Sequence, residues 1–153
     1  MGIQPTYPST GYGYIHRGPL LETRNGVDVY EVSEFKEKPD VETARGYIES
    51  GEYYWNGGIF IFKPDTMIEE LKKHLPDMYE RLERIVASDG PERIYPELEK
   101  VSIDYGIIEK TDRRCVAEAR FFWDDVGAWD SIEKYFEKDA NGNEVEGTIR
   151  VGE

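Results

Sequence analysis

Phe35-Lys36-Glu37-Lys38-Pro39 sets a carboxylate and an ammonium side by side where an extended segment has to stop. Proline has no N–H to give to a ladder, so a strand ends there, and a strand end holds a side chain in a fixed place. Two further stretches have the same character: Trp55-Asn56-Gly57-Gly58-Ile59-Phe60 and Trp123-Asp124-Asp125-Val126-Gly127-Ala128-Trp129. Glycines let a ligand approach the backbone closely. Together the three stretches offer a carboxylate, an ammonium, an amide and a further acid, a set that suits a phosphorylated sugar and its metal ion.

Upstream of Phe35, Asn25-Gly26 predicts a tight hairpin joining residues 14–24 to 27–37. Before it, Gly11-Tyr12-Gly13-Tyr14-Ile15 reads as a strand with bare backbone at which a ligand could sit. After Pro39, a helix is expected over 41–50, capped by Asp40, favoured by Glu42 in its first turn and closed by Gly51. Residues 53–63 read as a strand whose Ile59-Phe60-Ile61-Phe62 centre is apolar on both faces, as in a covered central strand. Asp65 is expected to cap a helix with Met67, Ile68, Leu71 and Leu75 on one stripe, broken by Pro76. Asp77 and Glu80 have the spacing of a capping box for the next helix, whose stripe is Met78, Leu82, Ile85 and Val86. Residues 91–100 and 102–110 read as short helical pieces. Alternation predicts a strand over 116–123, followed by a helix over 128–138, a turn at 140–143 and a strand fragment over 148–151.

The chain has 153 residues, 39% hydrophobic and 13% aromatic, with 11 tyrosines. That is enough for one folded α/β domain and too apolar for a disordered acidic tail. Its net charge of −13 disfavours nucleic acid and anionic membranes as partners. No apolar run approaches the roughly 20 residues of a membrane span, and a cytoplasmic location is expected. Cys115 is the single cysteine, so no intrachain disulfide forms; it is expected to be a buried, inert thiol. His16 and His74 are too few and too separated for a zinc site and are read as structural or surface groups.

These segments resemble the sugar-nucleotidyltransferases, in particular the branch that acts on mannose-1-phosphate. The matching residues are Gly2-Ile3-Gln4-Pro5-Thr6-Tyr7-Pro8-Ser9-Thr10-Gly11-Tyr12-Gly13-Tyr14-Ile15, Phe35-Lys36-Glu37-Lys38-Pro39-Asp40, Trp55-Asn56-Gly57-Gly58-Ile59-Phe60, Ser102-Ile103-Asp104-Tyr105-Gly106-Ile107-Ile108-Glu109-Lys110 and Trp123-Asp124-Asp125-Val126-Gly127-Ala128-Trp129. They stand in the family's order. The family's glycine-rich loop with an arginine and its Leu-x-Pro sequence, which belong to the nucleotide-binding half, have no counterpart in the 153 residues.

The resemblance implies an α/β fold: a mixed sheet with flanking helices, the second half of a Rossmann-like nucleotidyltransferase domain. Residues 1–153 would be its sugar-phosphate-binding half. It implies GDP-mannose synthesis from GTP and mannose-1-phosphate with Mg²⁺, and little activity from these residues alone. Lys38 would neutralise the sugar phosphate and Glu37 would accept hydrogen bonds from sugar hydroxyls. Asn56 would read a hydroxyl by donating or accepting, while Gly13 and Tyr12 would offer close backbone and a wall. Asp125 would bind Mg²⁺, with Lys38 the second catalytic group; Asp124 would point away. For Asp104 and Glu109 two readings stand: a part in the site, or helix capping and a core salt bridge. Three other readings compete for the whole chain: a glucose-1-phosphate nucleotidyltransferase, a non-catalytic sugar-phosphate-binding module, and a subunit of a split enzyme. A half-domain is also expected to expose an apolar seam, a surface for pairing as a homodimer or with the missing N-terminal half.

Overall fold

The computed structural model describes residues 1–87 and 91–127. The chain divides into two units, Met1–Arg120 and Phe121–Glu153; the second is described only up to Gly127. The expected helix over 128–138, turn over 140–143 and strand over 148–151 lie outside the described residues.

The first unit is built on a five-stranded sheet in the order β1-β4-β2-β3-β5. The strands are β1 (Gly2–Ile3), β2 (Tyr14–Arg24), β3 (Val27–Lys36), β4 (Tyr53–Asn56) and β5 (Cys115–Ala117). Among the described residues every ladder is antiparallel, and the parallel element is an isolated bridge from Gly2 to Glu118. That bridge, with an N–H of Ala119 donating to the Gly2 carbonyl at 2.8 Å, brings the two ends of the sheet together. Gly2 is where they meet because a Cβ there would lie 2.6 Å from Val116 Cγ2 and 2.9 Å from Tyr54 Cβ.

The β2–β3 hairpin turns where the Asn-Gly pair predicts. Asn25 and Gly26 have φ of 52° and 78°, the left-handed pair that a two-residue type I′ turn requires. Successive side chains of a strand alternate between the two faces of the sheet, and the register sorts them into rows. One row runs Tyr54–Ile15–Phe35 across β4, β2 and β3. With Val116 it forms the buried core cluster, against which Tyr30, Val32 and Ile108 pack. The neighbouring row, Trp55–Tyr14–Lys36, belongs to the opposite face.

Helix α1 (Val41–Ser50) covers that opposite face. Asp40 caps it, accepting from Thr43 N–H at 2.8 Å, and Gly51 ends it at φ 69°. Ala44 is fully buried. Tyr47 stacks on Tyr53 at 3.8 Å between centroids, and Tyr53 stacks on His16 at 4.6 Å. Two prolines then start α2 (Pro64–His74) and α3 (Pro76–Val86), followed by a short α4 (Pro91–Ile94) and a 3₁₀ turn, Tyr95–Glu97. A one-turn π-helix, Asp104–Ile108, leads to β5 and buries Gly106 and Ile107.

Several expectations are corrected, the first being the mixed sheet: among the described residues its ladders are antiparallel, because hairpin and edge pairings build it rather than crossover units. The strand expected over 53–63 stops at Asn56, because Gly57 and the left-handed Gly58 (φ 67°) turn the chain away. Ile59, Ile61 and Phe62 are consequently exposed, Ile61 at 91%. The strand expected over 116–123 is limited to Cys115–Ala117, the length its pairing with β3 permits. The strand expected from Gly11 starts at Tyr14. Neither Asp65 nor Asp77 is a cap: Pro64 and Pro76 occupy the first helical positions, which suits a residue without an N–H, and push both acids into the first turn. Cys115 is exposed rather than buried, since alternation along β5 turns Val116 inward instead. Among the described residues, no helix is long and apolar enough to cross a membrane.

Candidate functional site

The core row has a polar continuation. One residue beyond the Trp55–Tyr14–Lys36 register, β4 ends at Asn56, β2 is preceded by Gly13, and β3 runs out into Glu37. Antiparallel pairing places the start of β2 beside the ends of both neighbours. By alternation this next row faces the same way as Tyr54, Ile15 and Phe35. The sheet therefore passes from an apolar row to a row made of an amide, a glycine and a carboxylate.

Contacts bear this out. Asn56 N–H donates to the Gly13 carbonyl at 2.7 Å. A Cβ on Gly13 would stand 2.4 Å from Glu37 Oε2, 3.1 Å from Phe35 Cζ and 3.2 Å from Asn56 Cβ. A side chain there would push the flexible Glu37 carboxylate aside and crowd Phe35 and Asn56, so the glycine leaves that carboxylate in its place. The Glu37 side chain is only 8% exposed. Its Oε1 accepts from Lys38 Nζ at 2.7 Å, and its Oε2 is buried without a hydrogen-bond partner. An unpartnered buried carboxylate oxygen is costly, and a ligand hydroxyl would relieve it.

Lys38 adopts φ 46°, uncommon for a residue with a Cβ. The turn lets its N–H donate to the Tyr12 carbonyl at 3.2 Å and folds its ammonium back over Glu37. The lysine side chain is 54% exposed, which leaves its other donors facing solvent. Its pKa is raised, first by the hydrogen bond to Glu37 and then by that carboxylate's charge, against a small burial penalty; Tyr105 and Asp104 add to the rise. The ammonium is thus charged throughout the neutral range.

The Tyr12 ring packs edge-on against Trp55 at 5.0 Å, beside Tyr7, whose hydroxyl donates to that of Tyr12 at 3.2 Å. The Asn56 amide is held at both ends: Nδ2 donates to Asp104 Oδ1 at 2.9 Å, and Oδ1 accepts from Gly58 N–H at 3.1 Å. Glu109 Oε1 accepts from Glu37 N–H at 3.2 Å. Sequence reasoning left Asp104 and Glu109 open because nothing in their spacing reveals which strand ends they reach.

Asp125 belongs to the second unit and is exposed; Gly127 N–H donates to its carbonyl at 2.9 Å. Among the described residues, no three His, Cys, Asp or Glu side chains group as a metal site. Mg²⁺ is commonly held through one or two carboxylates, with water and substrate phosphates completing the shell. The hard, accessible carboxylate of Asp125 fits that scheme as a single ligand.

A cavity of about 240 Å³ lies along the core face, lined by Met1, Phe60, Phe62, Met67, Ile107 and Asn56 among others. Asn56 is the one predicted site residue it shares. The histidines are structural: His16 stacks on Tyr53, and His74 Nε2 lies 3.1 Å from Glu70 Oε2 on α2.

Comparison with known proteins follows the same line. The nucleotidyl transferase family model matches residues 1–142. A mannose-1-phosphate guanylyltransferase from Sinorhizobium fredii is 41% identical over 97% of this chain, and the match spans 30% of that relative's length. A Thermus thermophilus crystal structure described as a mannose-1-phosphate geranyltransferase superposes with a TM-score of 0.79 at 46% identity, covering 90% of this chain and 39% of that one. A Helicobacter pylori structure described as a mannose-6-phosphate isomerase gives a TM-score of 0.67 at 29% identity, covering 81% and 50%.

Proposed function

Since this chain belongs to the nucleotidyl transferase family, we propose that it is the sugar-phosphate-binding half of a mannose-1-phosphate guanylyltransferase domain. In that reaction a phosphate oxygen of mannose-1-phosphate forms a bond to the α-phosphorus of GTP, the bond to the bridging oxygen breaks, and pyrophosphate leaves. Positioning and charge neutralisation do most of such catalysis. Lys38 neutralises the sugar phosphate. Glu37 Oε2 accepts from a hexose hydroxyl brought close by the bare backbone of Gly13. Asn56 reads a second hydroxyl, and Tyr12 lends its backbone to the turn that aims Lys38. Asp125 would supply one oxygen to Mg²⁺, and the ion, when bound, would lower the charge of the triphosphate.

The observation that carries this reading is the buried, unpartnered Glu37 Oε2 facing Gly13, next to an accessible ammonium. The relatives named as mannose-1-phosphate guanylyltransferases support the choice of hexose and base, and the chain spans about a third of their length. The 153 residues alone bind the sugar phosphate without completing the transfer.

Calorimetric titration tests this. Mannose-1-phosphate is expected to bind the chain more tightly than glucose-1-phosphate, and Lys38→Gln to weaken it by about tenfold or more, the worth of a hydrogen bond to a charged group. Equal affinity in Lys38→Gln would remove the phosphate role. A preference for glucose-1-phosphate would overturn the choice of hexose, and GDP-mannose formation from GTP by the purified chain would contradict its incompleteness.

A further inference from the structure

The π-helix Asp104–Ile108 closes its turn over five residues, with Glu109 N–H donating to the Asp104 carbonyl at 2.9 Å. In an α-helix, residues five apart would stand about 140° apart around the axis. The wider turn brings Asp104 and Glu109 to one side, and π-turns of this kind gather at functional sites. That side faces the polar row: Asp104 reaches Asn56 at the end of β4, and Glu109 reaches the Glu37 backbone at the end of β3. Strand β2 lies between those two, so one helical turn spans the ends of three strands.

The hydrogen-bond count at Asn56 then has a consequence. A side-chain amide has two N–H donors and two acceptor lone pairs. Asp104 takes one donor and Gly58 N–H takes one lone pair. A carboxylate accepts and never donates, so Asp104 also fixes which end of the amide is nitrogen. What is left is one donor and one acceptor in a set orientation. Gly58 alone would fix it less firmly, since its N–H sits in a left-handed, exposed turn.

We propose that Asp104 is a positioning residue: it locks the Asn56 amide so that its remaining donor and acceptor discriminate a hexose ester from a bare phosphate. The proposal rests on the sugar-phosphate reading above.

The experiment titrates the whole chain with two probes, mannose-1-phosphate and inorganic phosphate, in wild type, Asp104→Asn and Asp104→Ala. Asn keeps an acceptor at the same position while Gly58 N–H still holds the Asn56 oxygen end; Ala keeps no acceptor. The expected preference for the hexose ester is retained within about twofold in Asp104→Asn and reduced by about tenfold in Asp104→Ala. Inorganic phosphate makes no use of the amide's orientation, so it is expected to bind both variants within about twofold of wild type. A purely structural role would weaken both probes together. If Asp104→Ala does not fold by circular dichroism, Asp104→Glu takes its place: it keeps the charge, moves the acceptor by one methylene, and is expected to lose the preference. An unchanged preference in Asp104→Ala or its substitute overturns the positioning role while leaving the sugar-phosphate reading intact. Failure of wild type to prefer mannose-1-phosphate over inorganic phosphate overturns both.

Discussion

Gly13 shows most sharply how one residue shapes the site. Its missing Cβ leaves room for Glu37 Oε2, which would otherwise be 2.4 Å away. Gly13→Ala is expected to displace the Glu37 carboxylate, lower the melting temperature and weaken mannose-1-phosphate binding by about tenfold or more, the loss of one charge-assisted hydrogen bond; paired thermal melts and titrations read both effects. Core and surface separate equally clearly. Phe35 is 6% exposed and packs in the Ile15–Tyr54–Val116 cluster, so Phe35→Ala is expected to cost about 3–5 kcal/mol in urea unfolding. Ile61, at 91% exposure, is expected to tolerate Ile61→Ser within about 0.5 kcal/mol. The residues of the polar row were legible in the sequence because each is a strand-end or glycine feature. Asp104 and Glu109 were not, because their partners lie 48 and 72 residues away along the chain, and no local periodicity encodes that distance.

The cap of helix α1 ties its stability to pH. Asp40 accepts from Thr43 N–H and from the Thr43 hydroxyl; the backbone bond is the larger cause and the hydroxyl the next, and its pKa falls below the usual 3.8. A carboxylate with a depressed folded-state pKa gives its full stabilisation above the unfolded value of 3.8, and loses it as pH falls through the lower folded value. Thermal melts of wild type and Asp40→Ala are therefore expected to differ at neutral pH and to converge below pH 3.8. A gap that stays constant with pH would show that the cap acts without its charge. This helix was readable to the residue, because Asp40 and Gly51 are local signals at both ends. The Asn25-Gly26 hairpin was readable for the same reason. The apolar run Ile59-Phe60-Ile61-Phe62 misled because β-propensity describes a surface that packs, and after Gly57-Gly58 these residues pair with no strand among the described residues. Asp65 and Asp77 misled because a proline one residue earlier is the stronger start signal.

Across the whole first unit, the sheet, its closure at Gly2 and the π-helix serve one arrangement: three strand ends held side by side, with a carboxylate, an amide and an ammonium around a residue that has no side chain. Asp125, in the second unit, stands on its own evidence as a single accessible carboxylate. The most direct test of the arrangement is a ¹H–¹⁵N NMR titration of the chain with mannose-1-phosphate. Saturable shifts are expected to centre on the backbone amides of Gly13, Glu37 and Lys38 and on the Asn56 side-chain amide, and to be reduced in Lys38→Gln. Shifts centred elsewhere, with these four residues silent at saturation, would contradict the account.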